Sequence, residues 1–175
     1  KKERGSILVD GKAIATSVKS NDKYVYQRQY SNGSLYAPVT GYSSIVYGNG
    51  GGIEGASDGV LSGTSDSLFY RRLADVVTGK KPAGANVELT INPKIQQAAA
   101  QALGNRRGAV VALDPKTGAV LAMVTSPSYD PNNLASHDTE AVTKTWTQMN
   151  AAANQPMVNR TIGGTLYPPG STFKL

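Results

Sequence analysis

The sequence predicts an α+β chain in two parts, a strand-dominated N-terminal portion followed by one in which strands and helices alternate. Three observations predict it. Alternating segments flank an Asp-Gly pair near the start, a Lys-Pro-Gly stretch at 80–84 separates two sequence textures, and a capped, apolar-striped helix stands near the start of the second. The 175 residues suffice for one ordinary domain or two small ones. A hydrophobic fraction of 39% with 19 glycines favours a loop-rich or extended architecture over one compact core.

The first element is a hairpin: Ser6-Ile7-Leu8-Val9, the turn Asp10-Gly11, then Ala13 to Val18. Asp-Gly tolerates the positive φ of a tight turn. Tyr24 to Tyr30 alternates like another strand. Gly48-Asn49-Gly50-Gly51-Gly52 reads as a flexible loop, because neither a helix nor a sheet interior favours such a run. A phosphate cradle would need a following helix with Lys and Ser or Thr at fixed spacing, and Ile53-Glu54 follows instead. From Ser65 to Val77, Leu68, Phe69, Leu73, Val76 and Val77 recur at helical spacing. Lys80-Lys81-Pro82-Ala83-Gly84 then reads as a linker, dividing the chain into 1–82 and 83–175.

In the second part, Val87 to Ile91 reads as a short strand. Asn92 caps a helix with Pro93 in its first turn, an apolar stripe of Ile95, Ala98, Ala99, Ala102 and Leu103, and Gly104 at its end. Ala109 to Leu113 and Ala119 to Val124 are strands joined by the turn Asp114-Pro115-Lys116-Thr117-Gly118. A Pro-rich loop from Ser126 to Asn133 leads to a helical stretch around Ala141 to Ala151.

Composition narrows the function classes. There is no cysteine, which excludes disulfides and thiolate metal sites. The net charge is +6, but the basic residues are scattered in short pairs without an aromatic-plus-basic groove, so nucleic acid is not an expected partner. No segment approaches the roughly 20 apolar residues that span a bilayer, and no signal peptide begins at Lys1, so any anchor is expected upstream. No cofactor or metal site is expected. His137, the one histidine, lies between Ser136 and Asp138, which argues against a metal site or a Ser-His-Asp triad. Asp114 and Asp130 stand beside prolines and are expected to shape turns, and Trp146 and the tyrosines suit packing or sugar contacts.

The chemistry is concentrated in Tyr167-Pro168-Pro169-Gly170-Ser171-Thr172-Phe173-Lys174. If a helix starts at Gly170 or Ser171, Ser171 and Lys174 share one face. A hydroxyl is a poor nucleophile until a nearby base takes its proton, and lysine serves as that base only when its surroundings hold it neutral. Ser-x-x-Lys alone is a weak signal: Ser20-Asn21-Asp22-Lys23 repeats it in a polar turn and is assigned no function.

The surrounding residues make it specific. The Tyr167–Lys174 segment resembles the nucleophile motif of class B penicillin-binding proteins. Arg4-Gly5-Ser6-Ile7 resembles that family's entry after its membrane anchor, and Gly52-Ile53-Glu54 with Leu61-Ser62-Gly63 resembles the segment where the non-catalytic part ends. Leu89-Thr90-Ile91-Asn92 with Ile95-Gln96 resembles the start of the transpeptidase domain, although Asp is more usual where Asn92 stands. Ala109 to Asp114, Thr117-Gly118, Leu121-Ala122-Met123 and Pro127 to Asn132 are similar to its first strands and following loop, and Asn159-Arg160 precedes the motif at the usual interval. Within the class the resemblance is greatest to the actinobacterial A-type members.

The resemblance implies an elongated, mostly-β non-catalytic pedestal, of dimerisation type, over 1–82, and the start of a penicillin-binding, β-lactamase-like transpeptidase domain over 83–175. It implies a serine D,D-transpeptidase that cross-links peptidoglycan stem peptides, with Ser171 as nucleophile and Lys174 as general base, acting on D-Ala-D-Ala donors and acylated by β-lactams. It further implies an extracytoplasmic location on the bacterial membrane, with division or elongation membrane proteins as partners. The family's Ser-x-Asn and Lys-Thr-Gly motifs lie well after the nucleophile, whereas Lys116-Thr117-Gly118 stands before it in a turn and the sequence stops at Leu175, so the isolated polypeptide is expected to be inactive. The alternatives are a non-enzymatic interaction or positioning module of the division or elongation machinery, a class D-like β-lactamase or sensor domain, and a catalytically dead homologue.

Overall fold

The computed structural model describes residues 3–68, 83–164, 168 and 170–173. Strands β1 (Ile7–Val9) and β2 (Lys12–Lys19) form the expected hairpin, with Val9 opposite Lys12. Asp10 and Gly11 both hold positive φ, 52° and 69°, as a type I′ turn requires. β3 (Tyr26–Tyr30) pairs antiparallel with β2. It starts later than the alternation indicated because Val25 closes a turn at φ 69°, its N–H bonded to the Asp22 carbonyl at 3.1 Å.

Three short helices go beyond the sequence expectations: α1 (Gly33–Thr40), α2 (Gly52–Ala56) and α3 (Asp58–Leu61). The glycine run at 48–52 is not a loop throughout. Gly48–Gly50 forms β5, antiparallel to β4 (Tyr42–Ser44), and Gly52 starts α2. The reason is a close backbone approach: a Cβ on Gly41 would lie 2.2 Å from the Gly51 carbonyl oxygen. Of the predicted helix from Ser65, only Asp66–Leu68 is described, as a 3-10 turn; Phe69, Leu73, Val76, Val77, Lys80, Lys81 and Pro82 lie outside the described residues.

β6 (Val87–Leu89) pairs parallel with β1, giving a sheet of order β3-β2-β1-β6 that joins strands from both sides of position 82. Helix α4 (Pro93–Leu103) comes next, its first turn capped by Asn92 Oδ1, which accepts from the N–H groups of Lys94 and Ile95. β7 (Gly108–Leu113) and β8 (Val120–Ser126) form the predicted hairpin. Helices α5 (Asn132–Ala135) and α6 (Thr139–Ala151) complete the described chain before a turn at 159–163 and a 3-10 turn at Gly170–Phe173.

One buried cluster spans both portions: Ile7, Val9, Ile14, Tyr30 and Val39 pack with Ile91 and Ala135. The face of α4 turned inward holds only part of the predicted apolar stripe, half-burying Ala99 and Leu103 while Ala98 and Ala102 are exposed. Ile95 is 37% exposed, whereas Gln96 is fully buried. Its amide acts like a strand partner for β8: Nε2 donates to the Met123 carbonyl at 2.8 Å, and Oε1 accepts from the Met123 N–H at 2.8 Å. The second Nε2 hydrogen reaches the Leu35 carbonyl of α1 at 3.0 Å. Among the described residues no helix is long and apolar enough to cross a membrane.

Candidate active site

Ser171 is the second residue of the Gly170–Phe173 turn and is exposed. The chain enters that turn through Gly170 at φ 53°, a conformation that disfavours any residue with a Cβ. Lys174 lies outside the described residues, as do Leu166, Tyr167 and Pro169. The described site is therefore the hydroxyl and the turn that carries it.

Upstream of it, a turn is built on Asn159, Arg160 and Thr161. Asn159 Oδ1 accepts from the Thr161 N–H at 3.1 Å and from the Thr161 hydroxyl at 2.6 Å, and the Asn159 carbonyl accepts from the Gly163 N–H at 3.1 Å. Asn159 Nδ2 donates to the Pro38 carbonyl at 2.8 Å and lies 3.7 Å from Met123 Sδ. Arg160, nearly buried, grips the preceding loop through the carbonyls of Asn154, Gln155 and Val158, while its N–H meets Thr125 Oγ1 of β8. Sequence reading placed the Asn-Arg pair by its interval alone.

Helix α1 is the common platform. Pro38 has no N–H, so the Ser34 carbonyl lacks its intrahelical donor and accepts from Ser128 Oγ instead, at 2.8 Å. With Gln96 on Leu35 and Asn159 on Pro38, three carbonyls of α1 receive side chains from the second portion. Asn132 adds a strand-like clasp on β3, accepting from the Tyr30 N–H and donating to the Tyr30 carbonyl, both at 2.9 Å.

A second polar centre underlies the N-terminal portion. Fully buried Glu54 accepts from Arg4 Nη2 at 2.9 Å, Arg28 Nε at 2.6 Å and the Tyr30 hydroxyl at 3.0 Å. Arg4 also reaches Asp58 at 2.6 Å, and the Tyr30 oxygen accepts from the Ser43 N–H at 2.7 Å. Burial, reinforced by the Glu54 carboxylate, pushes the Tyr30 phenol well above its ordinary value. The sequence motifs contained Arg4 and Glu54 but gave no reason to pair residues 50 positions apart, and Arg28 carried no signal at all.

The other residues singled out by sequence have structural places. His137 Nδ1 meets Asp22 Oδ2, and its ring lies 4.8 Å from that of Tyr24, so it ties the β2–β3 turn to the α5–α6 loop. The hydrogen bond from His137 holds the Asp22 carboxyl below its ordinary value despite the opposing effect of desolvation. Asp114 and Asp130 shape turns, accepting from the N–H groups of Lys116 and Asn132. Trp146 stacks on Tyr47 at 4.3 Å and meets Tyr42 edge-on. Ser20 to Lys23 forms the turn before β3. Among the described residues no group of His, Asp or Glu could hold a metal ion.

Comparison with known proteins adds family context. Residues 4–87 match the model of the penicillin binding protein A dimerisation domain, and residues 108–175 match that of the penicillin binding protein transpeptidase domain. The peptidoglycan D,D-transpeptidase PbpA of Mycolicibacterium smegmatis is 48% identical over 99% of this chain, and that of Mycobacterium tuberculosis 47% identical over the same share. The chain spans 36% of the length of each. The solved structure of penicillin-binding protein A from M. tuberculosis, a penicillin G acyl-enzyme complex, superposes with a TM-score of 0.93 at 46% identity, covering 99% of this chain and 40% of that one. A D,D-transpeptidase domain from Eggerthella lenta superposes at 0.72 with 40% identity, covering 98% of this chain and 35% of that one.

Proposed function

Because the chain belongs to the class B penicillin-binding proteins, we propose that the protein containing it is a peptidoglycan D,D-transpeptidase whose acyl-enzyme forms on Ser171. The observation that carries this is the place of Ser171: an exposed hydroxyl on a tight turn, entered through Gly170, inside the stretch similar to transpeptidase domains. Ser171 Oγ attacks the carbonyl carbon of the penultimate D-alanine of a stem peptide. Its proton passes to a neutral Lys174 amine and then to the departing D-alanine. An amine of a neighbouring stem then displaces the serine, regenerating the hydroxyl and closing the cross-link. A β-lactam carbonyl enters the same first step, and ring opening keeps the leaving group attached. That a relative was captured as penicillin G and ceftriaxone acyl-enzymes supports this reading.

Residues 1–82 are read as the non-catalytic, dimerisation-type pedestal and 83–175 as the first part of the transpeptidase domain. The protein is placed on the extracytoplasmic face of the membrane, with division or elongation membrane proteins as partners of the pedestal. The full-length protein, incubated with a fluorescent penicillin, is expected to label stoichiometrically at Ser171 by peptide mass spectrometry. Ser171→Ala is expected to abolish labelling and Lys174→Met to slow it by about 100-fold or more. Label on another residue, or label that persists in Ser171→Ala, refutes the assignment.

A further inference from the structure

We infer that Asn159 is a positioning residue that registers the nucleophile-bearing segment against helix α1 of the N-terminal portion; this rests on the reading of Ser171 as nucleophile. The two ends of one side chain do different things. Its oxygen builds the turn at 159–163 through both hydrogen-bonding groups of Thr161. Its nitrogen anchors that turn to the Pro38 carbonyl at the end of α1. The Pro38 carbonyl belongs to the last turn of the helix, where carbonyls have no intrahelical partner, so the bond satisfies both groups.

The anchorage is a junction of three elements. Met123 of β8, beside Asn159 Nδ2, has both its backbone groups held by Gln96, which also binds the Leu35 carbonyl of α1. The root of the Ser171 segment is thus fixed to the strand pair and to α1 at once. From Gly164 the chain reaches Ser171 in seven residues, a span of at most ~25 Å. Reacting groups tolerate little displacement before the rate falls, so the register of the chain seven residues before the nucleophile bears on the rate at Ser171.

Asn159→Asp separates the two halves of the role. The carboxylate keeps the acceptor for Thr161 but removes the donor to Pro38 and sets an anion against that carbonyl. In the full-length protein, the acylation rate constant with fluorescent penicillin is expected to fall about tenfold or more, with the dissociation constant of the preceding complex within about twofold of the parent. Hydrogen exchange across 160–173 is expected to rise while α4 and β7 stay protected. An unchanged acylation rate constant, or unchanged exchange across 160–173, overturns the inference. A rate loss matched by equally raised exchange across α4 and β7 also overturns it, because the role is then only structural. If Asn159→Asp does not fold, Thr161→Val decides: it keeps the bond to Pro38 and the backbone bond to Asn159 Oδ1, and is expected to give a smaller rate loss at a melting temperature near the parent's, an unchanged rate overturning the inference. Absence of acylation in the parent protein refutes the Ser171 assignment instead, and the exchange measurement still decides the positioning role.

Discussion

Glu54 holds donors from three residues, Arg4, Arg28 and Tyr30, at zero exposure, and that fixes what its removal does. Glu54→Ala strands Arg28, whose side chain is 3% exposed, without its counter-ion. Breaking one side of a buried ion pair costs about 3–5 kcal/mol, whereas replacing a whole cluster by apolar side chains is often neutral. Urea unfolding of Glu54→Ala is expected to show a loss of that order, with the slope of the transition unchanged. Tyr30 gives this centre an alkaline dependence. Its folded-state pKa is raised above the ordinary 10.0, so the unfolded chain releases the proton first. The stability contribution is complete below pH 10 and declines as the pH rises above it. Tyr36, Tyr42 and Tyr129 are raised by burial as well and add to the decline. In Tyr30→Phe the midpoint in urea is expected to fall less steeply between neutral and alkaline pH than in the parent, from a lower starting value.

Among the elements, those written in local chemistry were legible in the sequence. Asp10-Gly11 sets the β1–β2 turn and Asn92-Pro93 starts α4, each by a requirement that lies within two or three residues. Helix α1 was hidden because nothing local announces it. Its cap, Asn32, is left-handed and makes no side-chain bond, Pro38 sits inside it, and every residue from Tyr36 to Thr40 is buried. The buried side of α4 was misread for a related reason, since Gln96 is drawn inward by Met123 and Leu35, distant positions that no periodicity reveals. The Ser171 motif and the Asn159-Arg160 pair were legible as patterns, but the anchorage of Asn159 was not, because the Pro38 carbonyl it meets is 121 positions away. Gln96→Glu tests the amide clasp. At neutral pH a carboxylate oxygen would face two carbonyls, with a loss of about 2–4 kcal/mol from unsatisfied buried groups. The surroundings raise the folded-state pKa of the new carboxyl above its unfolded value near 4.3, so the deficit should shrink as the pH falls toward about 4. A deficit that does not vary with pH would refute the clasp. Gly41→Ala tests the β4–β5 corner, where the added Cβ would meet the Gly51 oxygen. Thermal melting is expected to show a loss of about 2 kcal/mol or more.

At the scale of the whole molecule, the sheet order β3-β2-β1-β6 and the mixed core make residues 3–68 and 83–164 partners in one folding unit. Calorimetry of the full-length protein is expected to give a single transition for these two stretches. Tryptophan fluorescence from Trp146, packed on Tyr47, should report that transition together with exchange at β1. Separate transitions would contradict the shared core. The carbonyls of α1 carry one more consequence. The side chains that satisfy Leu35, Ser34 and Pro38 come 61, 94 and 121 residues later. A nascent chain emerges N-terminus first, so this helix leaves the ribosome long before its partners are made. Contacts of such separation form late and slowly. The N-terminal portion therefore matures only once residues 83–164 have been synthesised, and a prematurely terminated product would present its unfinished face to proteases.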